Sequence, residues 1–324
     1  MIKILIYEYV TGGGLINEDL SSTLLNEAKL ITSNLYSDMR ASDGVSFNFF
    51  LDERLNNLVT SESILINRKN IKKIYDKDFL KKFDYILPIL PETNLDLYKY
   101  VKFLEENKIN KIISDKKIIS LLSNKLSFYN FFISHNINTI PTYAINDRRK
   151  IKKLKNLIVK DKYGAGCSFV KIFKGSSDKG FSGYNNNYIV QPYIHGQSYS
   201  ISAFFSRDDI YLLSINKQDI KIKQGFIKLN KIIVNDKTVG CTKIYVLLER
   251  IKYILPKLYG YIGIDIIIND KGLHLVEINP RLTTSYIGLR ETLGINLVNL
   301  MIGKKIKKRI VSGKKSCINL NETR

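Results

Sequence analysis

Acidic and amide side chains recur at short spacing in a β-rich stretch near the C-terminal end, Gly263-Ile-Asp265-Ile-Ile-Ile-Asn-Asp-Lys-Gly272-Leu-His-Leu-Val-Glu277-Ile-Asn279-Pro-Arg281. Residues two apart in a strand point to the same face, so Glu277 and Asn279 share one. If the turn spans Asp270 to Gly272, Asp265 lies opposite Glu277. The spacing therefore predicts three oxygen-bearing side chains that converge on one face of a hairpin.

This turn assignment predicts a register and a ligand. Gly272 supplies the left-handed residue of the loop, and Asn269 then pairs with Leu273. Two buried carboxylates without a partner cost on the order of several kcal/mol or become protonated. A hard divalent cation relieves both, and Mg²⁺ takes oxygen ligands while leaving positions for phosphate. The alternative is a plain hairpin at a sheet edge, whose acidic side chains point to solvent.

Positions suited to phosphate lie at strand ends. Arg281 follows the proline that ends the hairpin, and a guanidinium there suits an oxyanion. Upstream, the strand in Val159-Lys160-Asp-Lys-Tyr-Gly164-Ala-Gly166-Cys-Ser168 ends in a lysine and a glycine loop. Glycines let backbone N–H groups turn toward phosphate oxygens, and the lysine adds charge. The loop is not a Walker A motif, because G-x-x-x-x-G-K-[ST] is absent, and an ordinary glycine turn is the alternative.

A third segment could contact a nucleobase. It reads Ile189-Val-Gln191-Pro-Tyr193-Ile194-His-Gly196-Gln-Ser198. An extended chain presents backbone N–H and C=O groups to an adenine edge, and Gln191 could accept from the exocyclic amine. A surface strand that links two lobes explains the segment equally well.

Composition indicates a globular protein of more than one lobe. The chain has 324 residues and 44% hydrophobic content, which suffices for two or three lobes. The three cysteines, Cys167, Cys241 and Cys317, are far apart without C-x-x-C spacing, which favours a reducing compartment over a zinc or disulfide framework. We expect a cytoplasmic protein, since neither a secretory signal nor a membrane-length apolar run is evident.

The net charge of +21 suggests nucleic acid as a partner. Lysine outnumbers arginine 40 to 11, whereas phosphate and base-edge recognition favours arginine. We therefore interpret the excess charge as a solvated surface that could speed the arrival of anionic substrates such as ATP, and nucleic acid is the less favoured partner.

Hydrophobic patterns predict α/β and α+β architecture. Residues 1–118 alternate strands and helices, which is typical of an open parallel α/β domain. Its expected strands are 3–9, 46–51, 83–90 and 112–113, and its expected helices are 21–36 and 95–106. Further on we expect helices at 121–135, 246–257 and 295–302, and strands at 157–162, 169–173, 188–193, 199–205 and through Ile268 and Ile278. Residues 174–187 have loop composition and could be mobile.

The order of the motifs resembles the ATP-grasp superfamily over residues 119–306, most specifically at Glu277-Ile-Asn-Pro-Arg281. In that family two α+β subdomains clamp ATP behind an N-terminal α/β domain. The resemblance implies a pre-ATP-grasp domain at 1–118, a small lobe with a glycine flap at 119–190, a large lobe with a metal site at 191–310, and a C-terminal tail at 311–324.

The resemblance also implies roles for single residues. Phosphate contacts are implied for Lys125 and Lys160, with a flap over the γ-phosphate at Gly164, Gly166 and Ser168. Adenine would be flanked by Gln191, Tyr193 and Ile194. Mg²⁺ or Mn²⁺ would be held by Asp265, Glu277 and Asn279. Arg281 and Lys160 would be catalytic, with Arg281 facing the transferred phosphoryl group. Ser198 stands where many members carry a ribose-binding carboxylate, so the ribose contact is open.

The N-terminal Tyr7-Glu8-Tyr9-Val-Thr11-Gly12-Gly13-Gly14 and the later Asn216-Lys217-Gln218 resemble the archaeal tyramine–glutamate ligases of methanofuran biosynthesis. The resemblance implies ATP-dependent joining of L-glutamate to tyramine through an acyl phosphate, with small-molecule carboxylate and amine substrates and no membrane. Another amino-acid ligase or a kinase is the alternative, and a homodimer is left open. The glycines could instead form a flexible turn or a dinucleotide loop, although Asn17 replaces the third glycine of G-x-G-x-x-G.

Overall fold

The computed structural model describes residues 1–164, 169–175, 183–294, 296–304 and 313–320. The N-terminal domain is a parallel sheet with strand order β3-β2-β1-β4. The apolar β1 is buried on both faces, because Ile4 and Leu5 belong to different core clusters. Its elements are β1 (Ile2–Glu8), α1 (Ser22–Arg40), β2 (Val45–Asp52), β3 (Ser63–Ile66), α2 (Lys77–Leu80), β4 (Tyr85–Ile89) and α3 (Asp96–Glu106), with 3-10 turns at Glu53–Leu58, Ile71–Tyr75 and Thr93–Leu95.

The open parallel α/β prediction is confirmed, with two local corrections, the first being that β3 was not predicted. The strand expected at 112–113 is wrong, since only an isolated bridge joins Lys111 to Ile86. The chain turns instead into α4 (Lys116–Ser123), whose N-terminus is capped by the Asp115 side chain accepting from Ile118 N. Asp is a strong N-cap residue, and its cap ends the extended segment early.

The helix expected at 121–135 is two helices. α4 ends at Ser123, and α5 (Lys125–Ser134) begins one residue later. Asn124 lies between them, and its side-chain oxygen accepts from Leu126 N at 3.0 Å and Ser127 N at 3.2 Å. This N-cap restarts the helix and places Lys125 at its first position.

A second sheet of ten strands runs through the rest of the described chain, in the order β13-β12-β9-β10-β11-β7-β6-β8-β5 with β14 against β11. Its elements are β5 (Tyr143–Ala144), α6 (Arg148–Ile151), β6 (Leu157–Asp161), β7 (Val170–Phe173), β8 (Tyr188–Pro192), β9 (Gln197–Phe205), β10 (Ile210–Lys223), β11 (Phe226–Val234), α7 (Cys241–Ile254), β12 (Gly260–Asn269), β13 (Gly272–Asn279), α8 (Leu289–Leu293), α9 (Leu297–Met301) and β14 (Ser316–Asn319), with a 3-10 turn at Thr284–Gly288. β14 lies within the segment expected to be a C-terminal tail. Residues 176–182, half of the loop expected at 174–187, lie outside the described residues.

The long hairpin of β10 and β11 connects the two lobes, and the sequence analysis did not predict β11. Its tip carries positive φ at Gln224 and Gly225, as a tight two-residue turn requires. Ile172 N donates to Gly225 O at 2.8 Å, which attaches the tip to β7 of the small lobe. The sheet is therefore continuous across the cleft between the lobes.

The two faces of the large-lobe sheet differ in polarity. One face packs on α4, α5 and α7 through an apolar cluster that includes Ile201, Ile264 and Leu275. Neighbouring residues in each strand point the other way. That opposite face carries polar side chains, namely Ser198, Ser200, Ser202, Asn216, Gln218, Asp265, Glu277 and Asn279.

The N-terminal domain docks against the large lobe through a shared apolar cluster and buried polar contacts. Asp38 of α1 accepts from Tyr286 OH at 2.6 Å and from Arg290 Nη1 at 2.9 Å. Asn296 donates to Asp38 O at 2.8 Å. In the described part of the chain, every helix is too short or too polar to cross a lipid bilayer.

Candidate active site

A β-bulge brings the two hairpin carboxylates together. Asn269 pairs with Gly272, so the turn is Asp270-Lys271 and the predicted Asn269–Leu273 pair is wrong. The register then shifts by one residue between Ile266 and Asp265. Because this bulge adds a residue to β13, Asp265 lies opposite Glu277, as predicted.

The predicted convergence of three side chains is confirmed. Asn279 Nδ2 lies 3.4 Å from Asp265 Oδ2 and 3.3 Å from Glu277 Oε1. Gln218 Nε2 donates to Asp265 Oδ1 at 3.0 Å and orients that carboxylate from β10. Gln218 was singled out from the sequence only through resemblance, because spacing within the hairpin does not show that β10 lies on the far side of β9 from β12.

The carboxylates are electrostatically coupled. Burial, and next the neighbouring Glu277, raise the pKa of Asp265 to about 8. Burial also acts to raise the pKa of Glu277, but the charges of Lys125 and Lys160 and the hydrogen bonds from Asn279 and Asp265 together lower that pKa overall. Glu277 is therefore the ionised partner at neutral pH, and Asp265 holds the proton.

The donor set fits a hard divalent cation. One member of this buried carboxylate pair stays protonated because two negative charges would repel each other. A divalent cation can replace that proton and neutralise both carboxylates. The described residues contain no group of three or more His, Cys, Asp and Glu side chains suited to a metal. This cluster has two carboxylates and an amide. Asn279 directs its NH₂ at both carboxylates, and a half-turn of the amide would present its oxygen instead.

Two lysines lie beside the carboxylates. Lys125 Nζ donates to Gly164 O at 2.6 Å and lies 3.7 Å from Glu277 Oε2. Lys160, at the end of β6, is 8% exposed and lines the same cleft. The structure therefore brings Lys125, Lys160, Gly164 and the acidic cluster together. Gly166 and Ser168 of the expected flap lie outside the described residues.

The cleft between the lobes encloses a volume of about 140 Å³. Gln191, 3% exposed, lines it and donates through Nε2 to Thr142 Oγ1 at 2.8 Å. Thr142 in turn donates to Ile140 O at 3.0 Å. Because the Thr142 proton is committed, the amide NH₂ of Gln191 must point to Thr142, and its oxygen is the acceptor available to a ligand.

Two of the residues expected to contact adenine, Tyr193 and Ile194, are not among the described residues that line the cleft. Both follow the end of β8, where Tyr193 N donates to Asn156 O at 3.0 Å and the Tyr193 ring meets His195 edge-on. Ser198, by contrast, lines the cleft.

Arg281 is held by the N-terminal domain. Its Nε lies 3.1 Å from both carboxylate oxygens of Glu92, and its Nη2 donates to Glu92 Oε2 at 2.8 Å. Burial acts to lower the pKa of Arg281, but Glu92 outweighs it and raises that pKa. Glu92 was not predicted from the sequence. The available signal was an acidic residue just after the carboxyl end of β4, where α/β sheets place ligand-binding groups.

The glycine turn at residues 12–14 is close-packed. A Cβ on Gly12 would lie 2.4 Å from Glu8 O, and one on Gly14 would lie 2.4 Å from the Tyr9 ring. Gly12 N donates to Glu8 O and Gly14 N donates to Tyr9 O, both at 2.8 Å. Because these two N–H groups are used within the turn, they are not available to a dinucleotide phosphate.

Comparison with known proteins agrees with this geometry. A family model described as an ATP-grasp domain matches residues 122–285. The tyramine–L-glutamate ligase of Methanocaldococcus jannaschii is 27% identical over 297 residues, which cover 89% of this chain and 84% of that one.

Solved structures share the fold. A protein from Archaeoglobus fulgidus assigned to the ATP-grasp superfamily matches with a TM-score of 0.75 and 21% identity, over 98% of this chain and 92% of that one. The biotin carboxylase domain of 2-oxoglutarate carboxylase from Hydrogenobacter thermophilus, solved with MgADP, ADP and bicarbonate, matches with a TM-score of 0.68 and 14% identity, over 94% and 70%.

The family model spans half of the chain, and the chain belongs to the ATP-grasp family. Its N-terminal parallel α/β domain precedes the two ATP-grasp lobes. Within that family it is an ATP-dependent ligase that forms C–N bonds.

Proposed function

We propose that this ligase joins the carboxylate of L-glutamate to the amine of tyramine, with formation of ADP and phosphate. The observation that carries the choice of substrates is the similarity to the tyramine–L-glutamate ligase of Methanocaldococcus jannaschii along 89% of the chain. Gln218 donates a hydrogen bond to Asp265 in the carboxylate cluster, which supports a functional use of that motif.

The proposed nucleotide site is the cleft between the lobes. Gln191 accepts from the adenine amine, while Lys125 and Lys160 neutralise the phosphates at the opposite end. Asp265, Glu277 and Asn279 hold Mg²⁺ or Mn²⁺, which supplies charge neutralisation for the phosphate oxygens. Cytoplasmic location and a homodimer stay predictions.

The proposed reaction has two steps. A carboxylate oxygen of the acid attacks the γ-phosphorus of ATP, and the bond to ADP breaks, so an acyl phosphate forms. The amine nitrogen then attacks the acyl carbon, loses a proton, and expels phosphate with the electrons of the C–O bond. Lys160 and Arg281 offset the negative charge that develops on the phosphoryl group and on the tetrahedral oxyanion. Water must be excluded while the acyl phosphate exists.

The test is ADP release by the purified chain with MgATP, L-glutamate and tyramine, combined with mass spectrometry of the product. We expect ADP release to need both substrates and the product mass to equal their sum less one water. ADP release with glutamate alone, together with a stable phosphorylated product, would indicate a kinase. An amide with another amine or acid would place the enzyme among other amino-acid ligases.

A further inference from the structure

Glu92 of the N-terminal domain contacts Arg281, which belongs to the proposed reaction centre. This residue follows β4 at the carboxyl end of the parallel sheet, and its side chain is 5% exposed. Arg281 follows β13 in the large lobe, and its side chain is 16% exposed. The pair therefore joins two domains at a largely buried point, where each charge depends on the other.

The hydrogen bonds leave part of the guanidinium open. Glu92 engages Nε and Nη2, and Leu282 O accepts from Nη1 at 3.2 Å. An arginine has five N–H donors in a rigid plane, so among the contacts of the described residues one donor on Nη1 and one on Nη2 are not used. Such an adjacent pair matches the two oxygens of a carboxylate or phosphoryl group.

We propose that Glu92 is a positioning residue that fixes the plane of Arg281, so that its remaining Nη donors face the transferred phosphoryl group. The inference rests on the proposed function, in which Arg281 contacts that group. A long arginine side chain samples many rotamers unless it is held, and misplacement by about 1 Å can lower a rate by about 100-fold. The two oxygens of Glu92 restrain the guanidinium in both direction and rotation.

Two contacts near the pair need separate treatment. Thr284 donates to Glu27, and Glu27 adds to the negative field at Arg281. Glu27 has no hydrogen bond to the guanidinium among the described contacts, so it supplies charge without orientation. Variants of Glu92 therefore test whether the guanidinium of Arg281 must be held in one orientation. A variant of Glu27 would test only the effect of nearby negative charge on Arg281.

The same domain interface supplies a matched control. Asp38 pairs with Arg290 at 2.9 Å and is 2% exposed, so it is also a buried carboxylate that joins the N-terminal domain to the large lobe. If Glu92 only docks the domains, Glu92→Gln and Asp38→Asn should behave alike. Both would then lower Tm and leave kcat per folded molecule unchanged.

The first experiment measures kcat and KM for ATP in the wild type, Glu92→Gln, Glu92→Asp and Asp38→Asn. Hydroxylamine can replace the amine, because it traps the acyl phosphate as a hydroxamate. We expect Glu92→Gln to lower kcat by about 100-fold without raising KM for ATP, since the guanidinium stays present but loses its orientation. Glu92→Asp should restore part of kcat, and Asp38→Asn should keep it. Equal kcat in Glu92→Gln and Asp38→Asn overturns the proposal.

A double variant distinguishes the positioning role of Glu92 from a role in domain docking alone, through its effect on kcat. If Glu92 acts only through Arg281, Glu92→Gln combined with Arg281→Lys should lower kcat no further than Arg281→Lys does by itself. Additive losses would assign Glu92 an independent role and reject the positioning role.

A second measurement keeps the inference separate from the choice of reaction. In ¹⁵N-labelled protein, the Arg281 Nε–H signal is assigned by its loss in Arg281→Lys. We expect a protected signal in the wild type and in Asp38→Asn, its loss in Glu92→Gln, and a shift when inorganic phosphate is added with MgADP. If no carboxylate gives a hydroxamate, the proposed function fails, but these spectra still decide the inference. A wild-type signal that is unaffected by phosphate, or unchanged in Glu92→Gln, overturns it.

Discussion

Asp265 and Glu277 lie opposite each other because one extra residue in β13 shifts the register of an otherwise regular hairpin. Without that bulge, Val276 would occupy the position opposite Asp265, and Glu277 would point into the apolar core. The bulge therefore decides whether the polar face of the sheet contains a carboxylate pair. Gln218 and Asn279 complete the cluster at 3.0–3.4 Å.

Glu277→Gln is expected to abolish metal-dependent turnover while the fold is kept. The substitution preserves shape but removes the ionised member of the pair, so the loss should be at least about 100-fold. ADP release at several Mg²⁺ concentrations, with circular dichroism of the same sample, measures both effects. Asp270→Asn in the exposed turn of the same hairpin is the control and should be fully active. Undiminished turnover in Glu277→Gln would reject the ligand assignment.

The carboxylate pair should make stability depend on pH when divalent cations are absent. The folded pKa of Asp265 is raised to about 8, whereas an unfolded Asp titrates near 3.9. Between these values the native state binds the extra proton, so stability present at low pH is lost as pH rises toward 8. We expect Tm in a chelating buffer to fall as pH rises from about 4 to about 8, and to level off above pH 8. Asp265→Asn should flatten the curve, and an unchanged slope in that variant would contradict the assignment.

Lys125 is expected to contribute mainly to nucleotide binding. Its Nζ contacts Gly164 O and lies near Glu277, which places its charge between the glycine loop and the acidic cluster. A hydrogen bond to a charged group is worth roughly 1.5–3 kcal/mol. Lys125→Met should therefore raise KM for ATP by at least about tenfold, as measured by initial rates. Lys162→Met is the control, because Lys162 lies over the Tyr163 ring instead of in the cleft. Equal KM in both variants would count against this role.

The Thr142–Gln191 hydrogen bond predicts selection of adenine over guanine. Because the Gln191 oxygen faces the ligand, it can accept from the adenine amine but repels the guanine carbonyl. In Thr142→Val the amide can rotate, and we expect the ATP-to-GTP ratio of kcat/KM to fall by about tenfold. Thr139→Val removes a hydroxyl that donates to Leu275 O at 2.8 Å and should leave the ratio unchanged. A ratio that stays constant in Thr142→Val would remove the basis for this orientation.

The sequence allowed the N-terminal α/β domain to be predicted because its strands and helices have clear periodicity. β1, β2 and β4 and helices α1 and α3 all lie close to the expected positions. Two errors occurred where a single side chain overrides periodicity. Asn124 divides one apolar helix into two, and Asp115 ends the extended segment at 112–113.

Residue spacing predicted which side chains form the acidic cluster, but it did not predict the backbone geometry that brings them together. Alternation placed Glu277 and Asn279 on one face, and Asp265 was correctly paired with Glu277 despite a wrong turn. The predicted three-residue loop and the observed bulge each add one residue to the same strand, so they give the same pairing. A bulge leaves little trace in composition, and only the hydrogen-bond ladder located it.

The sequence alone determined the type of chemistry. It contains oxygen ligands at strand spacing, lysines beside a glycine loop, and an arginine just after the strand that carries Glu277 and Asn279. Strand alternation is a local property, so these sets could be read directly. Tertiary structure decided which groups meet. Gln218 reaches Asp265 across 47 residues and Glu92 reaches Arg281 across 189. Such contacts depend on strand order and domain docking, which are set by burial of apolar surface over the whole molecule and leave no local pattern.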